Sequence, residues 1–298
     1  MPHIVRPERQ QVKLITNYLI FNFMDIITKR NVLSDGHQAT SMRNKVSVTK
    51  FLCIALMLLL MPCLGLILTY FTKRTKPYRK NGKIYRHDVA ARVEHWPHAL
   101  GTLFLLISGI IMGLSFFISF VSTSEEAVIA LNVHFVAACA FLFGTFYYIG
   151  NAISEPARMK EHLPNKDAIS STMNHYGAQL GFKRAKYPKE KKYFQSENMA
   201  YVFAIFVGAL MAFTGIIKAI QHSVDLPGFV VSAATLLHDI GTVAMLLFLL
   251  AHVFFAVLVP WSWKTFPSMI HGWMPEEEAK KEHPGWYEDI VSEEQKAK

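Results

Sequence analysis

The sequence predicts an all-α membrane protein: a bundle of four transmembrane helices preceded by one extra N-terminal transmembrane helix. Of the 298 residues, 52% are hydrophobic and the mean hydropathy is positive, which is unusual for a soluble domain. Five apolar runs each approach or exceed the ~20 residues that a helix needs to cross the hydrocarbon core. These runs are residues 51–71, 96–120, 127–150, 199–220 and 231–260.

The net charge of +9 is distributed unevenly between the loops. Lys and Arg collect in residues 73–95, 151–198 and 261–298, whereas residues 121–127 and 221–228 contain neither. Because basic loops are retained on the cytoplasmic side, we expect a multi-pass membrane protein with a cytoplasmic C-terminus. The positive charge is therefore explained by membrane topology and does not indicate nucleic-acid binding.

The N-terminal extension, residues 1–50, conflicts with this topology because it carries eight basic residues on the outer side. A natural start at Met42 would remove most of the conflict. Residues 42–63 also resemble a secretory signal, but the apolar run is nearly twice as long as a typical signal core. We therefore expect residues 51–71 to be an uncleaved helix or signal anchor. The four-helix domain is expected at 84–263 and a cytoplasmic tail at 264–298.

Several kinds of site are excluded by the motifs that the sequence lacks. Cys53, Cys63 and Cys139 all lie inside apolar runs, an arrangement unsuited to a disulfide or an iron–sulfur cluster. The sequence contains no CxxCH, so covalently attached haem is not expected. It also contains no GxGxxG, Walker loop or HExxH, and so offers no motif for nucleotide binding or metal-assisted hydrolysis.

Histidines are the ionisable residues that stand out in the apolar runs. An ionisable side chain within a bilayer is costly and needs a partner or a function. His238 and His252 lie fourteen residues apart in one run, which places both rings on roughly the same helix face and separates them by ~21 Å. His134 lies near the outer end of the third run, and His95 and His98 lie at the cytoplasmic start of the second.

The predicted depths pair His134 with His238, and His95 or His98 with His252. Two axial imidazoles from facing helices are the usual ligands of a b-type haem iron, so the pattern indicates two haems stacked across the membrane. Two alternatives remain at this point, namely histidines that serve only packing and a proton relay. A single zinc site is excluded for rings ~21 Å apart.

Four segments resemble the gamma subunit of respiratory formate dehydrogenase, a di-haem cytochrome b, over about residues 84–291. They read "RVEHWPHALGTLFLLISGIIMGL" (92–114), "LNVHFVAACAFLF" (131–143), "LLHDIGTVAMLLFLLAHVFFA" (236–256) and "MIHGWMPEEEAKKEHPGWYEDI" (269–290). The resemblance implies that His95 and His252 bind one haem b and that His134 and His238 bind the other. His98 is the alternative to His95.

The same resemblance implies a quinone pocket in "KKYFQSENMAY" (191–201), at the start of the third helix of the bundle. Ser196, Glu197 and Asn198 are its candidate residues. Phe194 departs from the family pattern, which has an asparagine at this position. The same polar run is also typical of a capped, solvated helix start, which is the alternative interpretation.

The function that the resemblance implies is that of a non-catalytic electron-transfer subunit in anaerobic respiration, embedded in the lipid of the bacterial inner membrane. Electrons would pass from a molybdenum or tungsten formate dehydrogenase subunit and an iron–sulfur subunit, through two haems, to menaquinone or ubiquinone. An alternative with the same haems is the cytochrome b anchor of a hydrogenase or a sulfur-compound reductase. A remote alternative is a haem-free proton-coupled transporter.

Overall fold

A computed structural model describes residues 58–72, 74–113, 123–182, 188–221 and 224–296, and all structural statements below refer to them. The chain divides into units 1–58 and 59–298, and the described residues belong to the second unit apart from Leu58. In chain order the helices are α1 (Leu58–Phe71), α2 (Val89–Gly113), α3 (Ser124–Ser154), α4 (Pro156–Glu161), α5 (Ala168–Gln179), α6 (Gln195–Ile220), α7 (Gly228–Val253), α8 (Ser268–His271), α9 (Glu276–Glu282) and α10 (Pro284–Lys296).

Four of these helices, α2, α3, α6 and α7, are long and apolar enough to cross a membrane. This confirms the predicted all-α membrane fold with four spanning helices. The part of the extra N-terminal helix that the structure describes is α1, and residues 51–57 of the predicted run lie outside the described residues. Large side chains such as Phe206 and Leu247 are more than 60% exposed on the bundle surface, as expected where lipid surrounds the protein.

Local sequence signals explain where the spanning helices begin and end. Thr123 caps α3: its hydroxyl accepts a hydrogen bond from the Glu126 amide (3.2 Å), and the Glu126 carboxylate accepts one from the Thr123 amide (3.1 Å). Pro156 follows the end of α3 and opens α4. The last spanning helix, α7, is followed directly by a π-helical turn, Phe254–Leu258, and then by a 3-10 turn that begins at Pro260.

The four spanning helices pack closely around small residues. A Cβ atom on Gly101 would lie 3.0 Å from the backbone nitrogen of Phe141, so α2 and α3 approach backbone to backbone only because this residue is glycine. Leu106, Val207 and Met245, from α2, α6 and α7, form a buried cluster in the bundle. The bundle is therefore packed internally and apolar externally.

The described part of the extra helix packs on the bundle. At Gly65 of α1, a Cβ atom would lie 2.6 Å from the Phe143 carbonyl oxygen and 2.8 Å from the Tyr147 nitrogen, both in α3. One turn further along α1, the Thr69 side chain lies against Gly150. The contact at Gly65 therefore depends on the absence of a side chain, as the contact at Gly101 does.

A small antiparallel sheet lies at one end of the bundle, in addition to the predicted helices. Its order is β1 (Arg79–Lys80), β2 (Lys83–Tyr85) and β3 (Trp273–Pro275), and Ile84 pairs with Met274. Asn81 and Gly82 form the hairpin turn with φ angles of 52° and 69°, as a two-residue turn of type I′ requires. The C-terminal helices pack on the sheet around Ile84, Met274, Ala279, Trp286 and Ile290.

The three basic segments of the sequence meet at this end of the bundle. Arg79 forms ion pairs with Glu294 and with Glu276 (3.1 Å) of the tail. The Arg86 guanidinium donates to the Lys192 carbonyl oxygen (2.7 Å), and Lys191 pairs with Asp289 (2.6 Å). Residues 74–88, 188–194 and 264–296 thus share one side of the bundle, as the charge pattern requires.

Candidate haem sites and adjoining polar cluster

One pair of histidines lies between α3 and α7. The ring centres of His134 and His238 are 6.4 Å apart, with an interplanar angle of 58°. Each ring also contacts a hydroxyl group: Ser108 Oγ lies 2.9 Å from His134 Nδ1, and Thr214 Oγ1 lies 2.8 Å from His238 Nδ1. We refer to His134 and His238 as the outer pair.

A second pair lies between α2 and α7. The ring centres of His95 and His252 are 6.1 Å apart, with an interplanar angle of 49°. Phe248 stacks against His252 at 5.8 Å and 14°, and Trp96 contacts His95 edge-on at 5.5 Å. We refer to His95 and His252 as the inner pair.

The two pairs lie at different depths of the bundle. His238 and His252 belong to one continuous helix, α7, and their fourteen-residue spacing corresponds to a rise of ~21 Å. The structure therefore brings together the same two pairs that the sequence positions indicated. Within each pair the two histidines come from two different helices, so each site forms only when the bundle is packed.

His98 lies elsewhere and is held by hydrogen bonds at both ring nitrogens. Its Nδ1 is 2.9 Å from the Glu94 carbonyl oxygen, and its Nε2 is 3.1 Å from Thr145 Oγ1. The ring packs against Phe141 (5.2 Å) and against Gly144, where a Cβ atom would lie 3.1 Å from it. The geometry thus places His95, and not His98, opposite His252.

The donor set suits a metal with two axial imidazoles. A metal–imidazole bond of about 2 Å on each side, plus roughly 1 Å from each nitrogen to its ring centre, places two ring centres about 6 Å apart. Both pairs match this spacing. A structural zinc site needs four protein ligands. Within the described ranges, no group of even three His, Cys, Asp or Glu side chains is placed to hold a metal ion. A porphyrin supplies the remaining ligands of a haem iron, so the two-histidine sets fit haem.

The three candidate quinone residues have separate local roles. The Ser196 hydroxyl accepts a hydrogen bond from the Tyr176 hydroxyl (3.3 Å). The Glu197 carboxylate accepts the backbone N–H of Phe194 (2.9 Å), as in a capping box, and lies 3.3 Å from the Arg86 guanidinium. Asn198 is buried, and its Oδ1 has no hydrogen-bond partner among the described residues. Helix capping therefore accounts for Glu197 but not for Asn198.

An aromatic and imidazole cluster beside these residues was not predicted from the sequence. Phe194 lies between His175 and His283, with ring centres 4.3 Å from each. His162 lies between Tyr193 (4.3 Å) and Tyr201 (4.4 Å). The tail supplies His283, and the loop after α4 supplies His162, so residues far apart in the sequence form this cluster only in the folded chain.

Burial makes the imidazoles of this cluster hard to protonate. It lowers the pKa of His283 well below the ordinary value, and Arg86 reinforces the effect. It also lowers the pKa of His175, although Glu282, 3.7 Å away, opposes the shift. Burial raises the pKa of Glu190 to about 7. The neutral forms are thus favoured around the start of α6.

A buried ionic network adjoins the inner pair. Glu94, the residue before His95, accepts a hydrogen bond from the Asn151 amide (2.9 Å) and lies 3.8 Å from the Arg158 guanidinium. Arg74 donates to the same Asn151 side chain (2.6 Å). A small cavity lies beside this network, and its lining includes Glu94, Tyr148, Asn151, Arg158, His162 and Tyr201. The network links the segment after α1 to α2, α3 and α4 at this end of the bundle.

Comparisons with known proteins agree with the di-histidine geometry. The profile of the family described as prokaryotic cytochrome b561 matches residues 86–272, a span that includes both the outer and the inner pair. The chain is 28% identical over 102 residues to the cytochrome b556(fdo) subunit of formate dehydrogenase from Escherichia coli K12. The same values hold for that subunit from the O6:H1 and O157:H7 strains.

The aligned residues make up 33% of this chain and 46% of each relative, so the chain spans about half the length of the curated relatives it matches. The resemblance to formate dehydrogenase cytochrome b subunits that the sequence motifs indicated is confirmed. With four apolar spanning helices and a family profile that covers more than half of its length, the chain belongs to the prokaryotic cytochrome b561 family.

Proposed function

We propose that the chain is the membrane cytochrome b subunit of a formate dehydrogenase and carries electrons through two b haems to a quinone. The observation that supports this most directly is the presence of two facing imidazole pairs at two depths of one bundle. Membership of a cytochrome family argues against the haem-free transporter. The similarity to a formate dehydrogenase subunit favours formate dehydrogenase over a hydrogenase or a sulfur-compound reductase.

In this proposal His134 and His238 hold one haem iron, and His95 and His252 hold the other. The haems, when bound, supply one-electron redox chemistry on each side of the membrane. The protein contributes axial ligands from three helices and an apolar sheath, formed by residues such as Leu106, that excludes water. Because α7 supplies one ligand to each site, its rise fixes the spacing between them along the bundle.

The start of α6 is the proposed site for menaquinone or ubiquinone. Tyr176, which donates to Ser196, contacts the Phe255 ring (5.0 Å) three residues after His252, and this links the segment to the inner pair. Asn198 Oδ1 can accept a hydrogen bond from a quinol hydroxyl, since it has no partner among the described residues. Ser196 adds a hydroxyl group, and the exposed Glu197 carboxylate lies beside it at the water-facing start of the helix. This arrangement favours proton uptake from the side that holds the tail.

The basic loops favour the cytoplasm as that side, and the prokaryotic family supports a bacterial inner membrane. The outer pair then faces the opposite side, where an iron–sulfur subunit and a molybdenum or tungsten catalytic subunit would deliver electrons from formate. Electron transfer between haems held by the outer and inner pairs, with proton uptake at the cytoplasmic face, would make the reaction electrogenic.

The test is a haem count per chain by pyridine haemochrome assay on the purified protein. We expect two haems in the wild type and one in each of H134A and H238A, with identical residual spectra because both variants lose a ligand of the same iron. H98A is the matched control and should retain both haems. Fewer than about one haem in the wild type, or different residual spectra in H134A and H238A, would contradict the proposal.

The identity of the complex needs a separate measurement. Metal analysis of the purified complex should find molybdenum or tungsten. Nickel without either metal would assign the chain to a hydrogenase and overturn the formate dehydrogenase proposal, although the two haem sites would stand.

A further inference from the structure

The same four-residue pattern occurs in two helices that do not supply the outer ligands. Residues 108–111 of α2 read Ser-Gly-Ile-Ile, and residues 214–217 of α6 read Thr-Gly-Ile-Ile. Each pattern lies one helix before an outer histidine in the chain, and its hydroxyl contacts that histidine. The outer site is thus built from two similar helix pairs, α2 with α3 and α6 with α7.

The glycine of each pattern also lies against the outer pair. A Cβ atom at Gly109 would lie 3.6 Å from His134 Cε1, and one at Gly215 would lie 3.5 Å from His238 Cε1. These are ordinary contact distances, so a methyl group would touch the ring and a larger side chain would displace it. The pattern therefore combines a hydroxyl that contacts Nδ1 with a residue that leaves the adjoining edge of the ring open.

The carbonyl oxygens beside the two hydroxyls favour one direction for these hydrogen bonds. A hydroxyl has one proton, and Ser108 Oγ lies 2.6 Å from the Phe104 carbonyl oxygen, which can only accept. Thr214 Oγ1 likewise lies 2.8 Å from the Leu210 carbonyl oxygen. When each hydroxyl donates to its carbonyl, its oxygen accepts from the facing imidazole, and His134 and His238 carry their proton on Nδ1. In this tautomer the Nε2 lone pair of each ring is left for a metal.

We propose that Ser108 and Thr214 are positioning residues of the outer haem, fixing the tautomer and orientation of both axial imidazoles. This inference rests on the proposed function. A hydrogen bond donated from Nδ1–H makes the ligating nitrogen a stronger donor, and this stabilises the more highly charged ferric iron. The two hydroxyls therefore lower the reduction potential of the outer haem.

The inner pair lacks an equivalent arrangement. Within the described part of the chain, no hydrogen bond is formed by the ring nitrogens of His95 or His252, whose closest ring neighbours include Trp96 and Phe248. The structure thus lowers the potential at the outer site only. This asymmetry favours electron flow from the outer to the inner site, the direction that quinone reduction requires.

The experiment is a spectroelectrochemical redox titration of the purified protein and of S108A and T214V. Removing either hydroxyl should change the relative affinity of the outer site for ferric and ferrous haem about tenfold, which raises one midpoint potential by about 60 mV. The other potential should stay unchanged. S108T and T214S keep a hydroxyl and should restore the wild-type value.

T145V is the matched control, because Thr145 makes the same kind of contact with His98. It should leave both potentials unchanged. If S108A and T214V retain two haems with wild-type potentials, the inference is overturned while the di-haem function stands. If S108A or T214V loses only the outer haem, a full haem content in S108T or T214S supports the positioning role. A wild-type protein without haem would instead refute the proposed function.

Discussion

Replacing His162 with phenylalanine should make the protein less sensitive to acid. The ring lies between Tyr193 and Tyr201, and its Nε2 is buried without a hydrogen-bond partner among the described residues. Burial, reinforced by Arg158 and Lys192, lowers the pKa of His162 to about 4. Phenylalanine keeps the stacking with both tyrosines but cannot be protonated.

The size and sign of the effect follow from this pKa. An unfolded histidine has a pKa of about 6.5, so below that pH the unfolded chain binds more protons than the folded one. The stability contributed by neutral His162 is complete above about pH 6.5 and is lost as the pH falls towards 4. At pH 5 the loss is about 2 kcal/mol, which corresponds to roughly 4–8 °C in the midpoint of thermal unfolding for a domain of this size.

The assay compares thermal unfolding midpoints at pH 8 and pH 5 for the wild type and H162F in the same detergent. Burial also lowers the pKa of His87, His175 and His283, so both proteins should lose stability in acid. The fall should be smaller in H162F by about 4–8 °C. Equal falls in the two proteins would mean that His162 is protonated without cost in the folded state, and the reasoning from its burial would fail.

Two further predictions test the path of electrons and the orientation. H252A removes a ligand of the proposed inner haem, so one haem should remain. In the intact complex formate should reduce this haem, but added quinone should not reoxidise it. Normal quinone turnover would place the quinone at the outer haem. A cysteine introduced within residues 122–126 should react with an impermeant thiol reagent on intact cells, and one within 184–192 should not, because basic loops stay in the cytoplasm. The reverse labelling pattern would invert the assigned depths.

The spanning helices were predictable because membrane insertion leaves a strong local signal. A run of ~20 apolar residues has few alternatives to a transmembrane helix. The depth of each histidine followed from the direction of its helix, and the facing rings of His134 and His238 agree with the pairing expected from those depths. Helix ends were less accurate: α6 begins at Gln195, several polar residues before its apolar run.

Non-local contacts were not predictable from the sequence. Asn81 and Gly82 are a recognisable hairpin signal, but the third strand comes from Trp273–Pro275 at the far end of the chain. The different environments of His95 and His98 likewise depend on a residue in another helix, Thr145, which occupies one nitrogen of His98. Three residues apart in sequence, these two histidines differ only once α2, α3 and α7 are packed.

The pairing of β2 with β3 imposes an order on biogenesis. β2 is translated before any of the four spanning helices, and β3 is translated after all of them. Ile84 must therefore wait at its end of the bundle until the last helix has entered the membrane and Met274 has been made. A chain that terminates before residue 273 cannot close this sheet, so its second strand stays without the partner that buries it. Completion of the sheet is thus a late event that depends on insertion of the whole bundle. The segment before α2 reaches its final structure only after the residues that follow α7 have been synthesised.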